Sequence, residues 1–275
     1  MSEREAAKMS WDPAQYLKYS GERLRPALDL LARIGAEDPR IVVDLGCGAG
    51  NVTRILAERW PRARVIGFDN SASMLAQARA SAPAGGAIEF REAELTAWVA
   101  APEPRAPDVV FSNAALHWLD DHATLFPRLL EAVAPGGVLA VQMPSNFQSP
   151  SHVELRATAE SARWRTRVES LVRHDPVAPV TQYFDWVAPF AETVDAWTTE
   201  YLHVLPRAHG GEHPVVAWAK GSALTPFIAA LAPDEGRAFI ADYAVRVGAA
   251  YPLRADGRVL YPFRRVFIVA TRAKR

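Results

Sequence analysis

Residues 41–53, IVVDLGCGAGNVT, constrain the fold of this chain more than any other stretch. A short β-branched apolar run without polar alternation reads as a strand buried on both faces, the usual setting of a parallel sheet. From Asn51 onward, Arg54, Ile55, Leu56 and Trp60 read as the start of a helix. Between strand and helix stand Asp44, Gly46, Gly48 and Gly50. Glycines permit a tight turn and let the backbone approach a ligand without Cβ clashes, and the helix N-terminus behind them favours anionic groups. Asp44 sets a carboxylate at the mouth of this loop, where a cationic or amine-bearing ligand suits it. S-adenosylmethionine (SAM) carries a sulfonium, an amino group and a carboxylate, and so meets both demands.

A dinucleotide is the competing ligand. Its fingerprint is G-x-G-x-x-G, and counted from Gly46 the third glycine falls on Asn51. The observed spacing is D-x-G-x-G-x-G. Downstream, Val65–Asp69 (VIGFD) is a second apolar strand ending in an acid that can accept from both ribose hydroxyls, which fits NAD and SAM equally. The loop spacing decides for SAM.

Alternation of strand and helix continues. Helix is expected over Leu24–Ile34, from Asn51 to near Trp60, over Ser71–Ser81 with Ser71 as N-cap, and over Asp121–Ala134. Strands are expected at Ile41–Leu45, Val65–Phe68, Ile88–Arg91, Asp108–Ser112 and Val138–Met143. This order implies an α/β fold, a doubly wound Rossmann-like sheet whose ligand lies at the carboxyl ends of the strands. After Met143 the rhythm changes. His152–Trp164, Pro214–Leu231 and Asp234–Tyr251 read as helices, and Ala196–Leu205 and Arg265–Thr271 as strands. The simplest assembly adds those two strands to make seven, mostly parallel with the last antiparallel. Residues 10–145 then form the cofactor-binding core of a single domain spanning 1–275, and about 146–195 and 206–260 a helical lid.

Bulk properties narrow the function classes. Thirty-one basic residues balance 31 acidic ones, so no phosphate track or membrane surface is built on net charge. One cysteine, Cys47, excludes an intrachain disulfide and suits a reducing cytoplasm. The N-terminal MSEREAAKMS lacks a hydrophobic signal core and no apolar run approaches a membrane span; with Met9 opening MSWDPAQYL, residues 1–8 are expected to be an extension or a start-codon artefact. No His/Cys/Asp/Glu spacing suggests a metal.

The segments VVDLGCGAGN, VIGFDNSASML and VAPGGVLAV resemble the glycine loop, ribose-acid segment and pre-strand turn of the class I SAM-dependent methyltransferases. Longer stretches, WDPAQYLKYSGERLRPALDLL at 11–31, SNAALHWLDDHATLFPRLL at 112–130, VLAVQMPSNFQSPSH at 138–152 and YPFRRVFIVATR at 261–272, are similar to the branch of that family that methylates trans-aconitate. The resemblance implies that Asp44 and the Gly46 and Gly48 backbone hold the methionine part of SAM. It implies Asp69 for the ribose with Asn70 beside it, Met74 against the adenine, and Glu94 with the Ala93 and Leu95 backbone for its amino edge. Asn113 would face the transferred methyl. The N-terminal helix, with Tyr16, Tyr19, Arg23 and Arg25, would fold over the cofactor, whose product is S-adenosylhomocysteine.

For the acceptor, a small carboxylic acid, the residue types suggest their own candidates. A carboxylate is already ionised near neutral pH and needs no general base. His117 is then a positioner, and a base only if the acceptor is a hydroxyl or carbon acid; His203 is a weaker candidate. Arginine forks match carboxylates. Arg264 and Arg265 precede the last strand, and alternation sends them to opposite faces; Lys220, Arg254 and Arg258 are weaker. Trp118, Tyr183 and Tyr261 are candidate pocket walls. Two other functions compete: methylation of a different small metabolite, and a non-catalytic SAM-binding protein. A nucleic-acid methyltransferase is disfavoured, because SNAAL stands where a D/N-P-P-Y/F segment would be.

Overall fold

The computed structural model describes residues 21, 24–82, 88–101, 105–206 and 209–274. Its elements run α1 (Arg25–Leu31), β1 (Ile41–Leu45), α2 (Asn51–Arg59), β2 (Arg64–Asp69), α3 (Ala72–Ala80), β3 (Ile88–Glu92), α4 (Leu95–Ala100), β4 (Val109–Asn113), α5 (His122–Ala132) and β5 (Val138–Pro144). There follow α6 (Pro150–Ala159), α7 (Arg165–Val168), α8 (Val180–Val187), β6 (Ala191–Leu205), α9 (Pro214–Lys220), α10 (Thr225–Ala230), α11 (Pro233–Ala250) and β7 (Val259–Arg272).

The strands form one seven-stranded sheet in the order β3-β2-β1-β4-β5-β7-β6. The reversal beside β1 marks a doubly wound fold. β1 pairs in parallel with β2 (Val43 opposite Ile66) and with β4 (Val43 opposite Val110), and all five of its residues are buried. That is why its sequence is apolar without alternation. β7 runs antiparallel to β5: the Gly136 N–H donates to the Arg272 carbonyl at 3.0 Å and the Ser145 N–H to that of Arg264 at 2.9 Å, so numbers rise on one strand as they fall on the other. β6 opposes β7 in the same sense, with Trp197 stacked on Phe267 at 4.7 Å and Thr193 bonded to Thr271.

Two compact units divide the chain. The first holds the described residues up to Met143, Pro179–Trp197 and those from Phe267 onward; the second holds Pro144–Ala178 and Thr198–Val266. In the first, helices cover a sheet core of Val42, Val43, Ile66, Val110, Phe111 and Leu139. In the second, Trp164, Phe239, Tyr243 and Phe227 pack with Val215, Val216 and Val247.

Several elements differ from expectation. β6 starts at Ala191, five residues before Ala196, and β7 at Val259, six before Arg265. From Val259 to Arg264 residues alternate buried and exposed, and Pro262 takes an exposed position. The helix expected over Pro214–Leu231 breaks between Lys220 and Thr225, and α6 stops at Ala159 short of Trp164. No helix is expected from the sequence at α4 or α8, although Val180, Tyr183, Phe184 and Val187 of α8 stand at helical spacing. Pro179–Trp197, which includes α8, lies in the first unit.

Candidate functional site

In the first unit, the carboxyl ends of β1, β2 and β4 meet the glycine loop. Asp44, the last residue but one of β1, is almost fully buried, and the Thr53 hydroxyl of α2 donates to its carboxylate at 2.7 Å. Burial holds the Asp44 carboxyl up at about 7, with Asp69 nearby raising it further and the Thr53 bond working against the shift.

The loop is set by backbone bonds. The N–H groups of Gly46 and Cys47 both donate to the Phe68 carbonyl, at 2.8 and 2.9 Å. Gly46 has φ +75°, and a Cβ there would come within 2.1 Å of that of Ala115. Gly48, with φ +53°, has open space where its Cβ would be, a cradle for a ligand against bare backbone.

Asp69, at the end of β2, receives the Gly48 N–H on one oxygen and the Ser71 N–H on the other, each at 2.9 Å. It thus ties the loop to the next turn, and each oxygen keeps a lone pair for another donor. Beside it, Asn70 donates to the Glu94 carboxylate at 3.2 Å, and the Ala93 N–H reaches the Asp69 carbonyl. Glu94 stands at the N-cap of α4, directly before Leu95. Met74 in the first turn of α3 is 46% exposed, an apolar side chain left open at this rim.

At the end of β4, the Asn113 side-chain oxygen is buried without a hydrogen-bond partner. Ala114, next in the chain, has φ +56°, a strained conformation for a residue with a Cβ. His117 follows on a short 3₁₀ turn, buried, its ring 4.8 Å from that of Trp118, which is half exposed. Cys47 is buried, and burial with the neighbouring Asp44 and Asp69 carboxylates pushes its thiol well up, which leaves it inert as a nucleophile.

Other expected residues stand elsewhere. Arg25 lies exposed on α1, 3.9 Å from Asp29. Tyr16, Tyr19 and Arg23 lie outside the described residues. Tyr183 does not wall an open pocket. It is fully buried on α8, its hydroxyl 2.7 Å from His122 Nδ1 and its ring 4.6 Å from Phe126, because the apolar face of α8 packs on α5. His122, which the sequence reading passed over, is the polar partner that makes this burial tolerable.

In the second unit, alternation along β7 sends Arg264 to solvent and Arg265 inward, where it is 5% exposed with its guanidinium 4.5 Å from the Phe263 ring centroid. Tyr261, two pleats earlier on the same face, is buried with its hydroxyl 3.1 Å from Ser151 Oγ. Asn146 is 3% exposed. His203 stacks on Trp218 at 5.0 Å. Lys220 is paired with Glu212, and Arg258 with Asp256 at 2.6 Å, so both cations are engaged. Asn146 and Ser151 had no individual signal; both lie in a polar run, SNFQSPS, that reads as an ordinary loop.

The glycine loop, the acids ending β1 and β2 and the doubly wound sheet define a class I SAM-dependent methyltransferase, and residues 42–137 match the methyltransferase domain family. The fold is shared with phosphoethanolamine N-methyltransferase 2 of Haemonchus contortus, solved in complex with SAM (TM-score 0.54, 18% identity, 97% of this chain and 58% of that one). Within the class, the chain belongs to the trans-aconitate 2-methyltransferase family. It is 46% identical to the Azoarcus sp. enzyme of that name over 96% of this chain and 99% of the relative, and 44% identical to that of Variovorax paradoxus over 95% and 98%.

The residues present fit SAM. A buried acid held near neutrality suits a sulfonium and an amino group, the open face of Gly48 suits a ligand lying on backbone, and the buried Asn113 oxygen has hydrogen-bonding capacity to spare. Among the described residues no group of three or more His, Cys, Asp or Glu is arranged to hold a metal, and no helix is long and apolar enough to cross a membrane.

Proposed function

We propose that the protein transfers the methyl group of SAM to one carboxylate of trans-aconitate, giving a monomethyl ester. The observation that carries this reading is near full-length similarity, 46% over 96% of the chain, to a relative named for that reaction. When bound, SAM supplies an activated methyl group on a sulfonium.

The chain's own residues do the rest. Asp44 and the Gly46 and Gly48 backbone hold the methionine part, and Asp69 accepts from the ribose hydroxyls through its remaining lone pairs. Asn70 braces Glu94, which with the Ala93 and Leu95 backbone reads the amino edge of the adenine, while Met74 covers its face. Asn113 faces the methyl, and Arg25, with Tyr19 and Arg23, serves the cofactor carboxylate. In-line displacement demands orientation and removal of water, together worth about 7–11 kcal/mol in favourable cases. Trp118 excludes water, and His117 orients an acceptor that is already ionised. Arg265 is the favoured carboxylate partner, with Tyr261 beside it; Arg264, facing solvent, contributes charge alone. The natural acceptor is a small acid rather than a nucleic acid, and the working compartment is the cytoplasm.

Purified protein with SAM, screened against trans-aconitate, cis-aconitate, citrate and isocitrate for S-adenosylhomocysteine release, tests the proposal. Preferred turnover of trans-aconitate is expected. Turnover of none of these acids by protein that binds SAM would refute the acceptor. A rate loss in His117→Ala with an ionisation near 6–7 would point to an acceptor that needs a base.

A further inference from the structure

Backbone strain is concentrated in the segment that joins β4 to α5. Among the described residues, Ala114 (φ +56°) and Asp121 (φ +51°) are the non-glycine residues with a positive φ, and they stand at its two ends. Asp121 tolerates that conformation, and its side chain caps α5 by accepting from the Thr124 N–H at 3.3 Å. Ala114 has no polar side chain to compensate, and a residue so placed persists only where its surroundings over-determine it. Asn113 precedes the segment, and His117 and Trp118 lie between its two kinks. All three stand at the carboxyl end of β4, where a doubly wound sheet receives its ligand.

Contacts within the first unit fix this segment. The Ala114 N–H donates to the Gln142 carbonyl of β5 at 2.9 Å. Ala115 lies against the glycine loop, filling the space that a Cβ on Gly46 would need. The far end is held by a side chain. His122, the first residue of α5 and 6% exposed, places Nε2 3.0 Å from the Leu116 carbonyl. A carbonyl only accepts, so Nε2 carries the proton, and Nδ1 of the neutral ring accepts from the Tyr183 hydroxyl at 2.7 Å. The same carbonyl takes the Leu119 N–H at 2.9 Å, the bond that closes the 3₁₀ turn. His122 thus reaches back past the Asp121 kink and ties α5 to the turn that carries His117 and Trp118. Tyr183 serves the opposite ring nitrogen.

We propose that His122 is a positioning residue for methyl transfer: through the Leu116 carbonyl it holds the Ala114–Asp121 segment in the conformation that presents Asn113, His117 and Trp118 to SAM and the acceptor. The assignment rests on those three residues facing the reaction, as proposed above. With both ring nitrogens engaged by protein groups, His122 acts through its neighbours and is no base for the reaction. A 3₁₀ turn has poorer hydrogen-bond geometry than an α-helix, so the added bond matters to its position. Misplacement of a reacting group by an ångström costs about a hundredfold in rate.

The double variant His122→Leu/Tyr183→Phe removes both polar groups of the pair, so that neither is left buried without the other. It is expected to melt within a few degrees of Tyr183→Phe alone and to bind SAM within about threefold of wild type by calorimetry, while kcat with trans-aconitate falls about tenfold to a hundredfold. His122→Gln sets an amide N–H₂ where Nε2 stood, and should return kcat to within about threefold of wild type. Tyr183→Phe leaves the bond to Leu116 in place and keeps its turnover despite a lower melting temperature. A purely structural His122 would instead lower stability and leave kcat of the folded protein alone. A kcat within about twofold of wild type in the double variant, or no recovery in His122→Gln, overturns the proposal. If the double variant does not fold, His122→Asn, whose amide is too short to reach the Leu116 carbonyl, is read in the same way. The indole N–H resonance of Trp118, assigned by its loss in Trp118→Phe, follows the segment without turnover. It is expected to move in the double variant, to return in His122→Gln and to stay in place in Tyr183→Phe. That response in a protein that turns over none of the acids refutes the proposed reaction and leaves the hold of His122 on the segment standing; an unmoved Trp118 signal overturns the proposal.

Discussion

Replacing Asp44 with asparagine should remove the pH dependence of SAM binding that this carboxyl creates. In the unliganded protein Asp44 titrates at about 7, raised chiefly by burial. The cationic groups of SAM favour its ionised form, so binding must first expel the proton wherever Asp44 is protonated. With a carboxyl at about 7, roughly nine-tenths is protonated at pH 6 and one-tenth at pH 8, so affinity rises about tenfold, or about 1.4 kcal/mol, across that interval. Near pH 7 roughly half a proton is released per SAM bound, which calorimetry in buffers of different ionisation enthalpy reads directly. Asp44→Asn keeps an oxygen for the Thr53 hydroxyl, binds SAM more weakly at pH 8, and shows only the residual pH dependence of SAM itself. The stability of the unliganded protein has the opposite sign. A carboxyl raised on folding costs nothing below its unfolded value near 4, and its cost grows to about 4 kcal/mol as pH climbs to about 7. Asp44→Asn should therefore melt higher than wild type at pH 8 without SAM, and the advantage should shrink or reverse at saturating SAM. Equal pH slopes of affinity in wild type and variant, with no difference in proton release, would refute this account of Asp44.

Four further outcomes follow from the same geometry. Gly46→Ala places a Cβ 2.1 Å from that of Ala115 at a positive φ, and should destabilise the protein by about 2–4 kcal/mol in urea unfolding while abolishing SAM binding. Asp69→Ala removes the acceptor for the Gly48 and Ser71 N–H groups as well as the ribose contact, and should raise the SAM Kd by about a hundredfold or more by calorimetry. Tyr183→Phe breaks its bond to His122 and should cost about 1 kcal/mol of stability with kcat/KM unchanged, since Tyr183 is a packing residue. His152, pressed down to about 4 by burial and by Arg156, should cause a stability loss of up to about 3 kcal/mol as pH falls from 6.5 to 4, absent in His152→Gln.

The cofactor half of the molecule was legible because its constraints are local. A buried parallel strand must be apolar throughout, a tight turn against a ligand must be glycine, and an acid two residues before the turn lies at the strand's carboxyl end whatever packs around it. The positions of Asp44 and Asp69 at the carboxyl ends of their strands, and of Gly46 and Gly48 in the turn, were therefore readable from spacing alone. The ends of β6 and β7 were not, since an edge pair of antiparallel strands keeps its hydrogen bonds through stretches as polar as AETVDA, and pairing partners far apart in sequence decide where such a strand begins. Side-chain fate depended most on tertiary packing. Tyr183 and Tyr261 look alike as aromatic residues of the later chain, yet one is buried against His122 in the first unit and the other against Ser151 in the second. For the arginine pair, the two-residue period of a strand required opposite faces. Only the tertiary structure decided that Arg265, on the face of Tyr261 and Phe263, would be the buried one, because which face of a strand becomes the inside is set by what the rest of the chain lays against it.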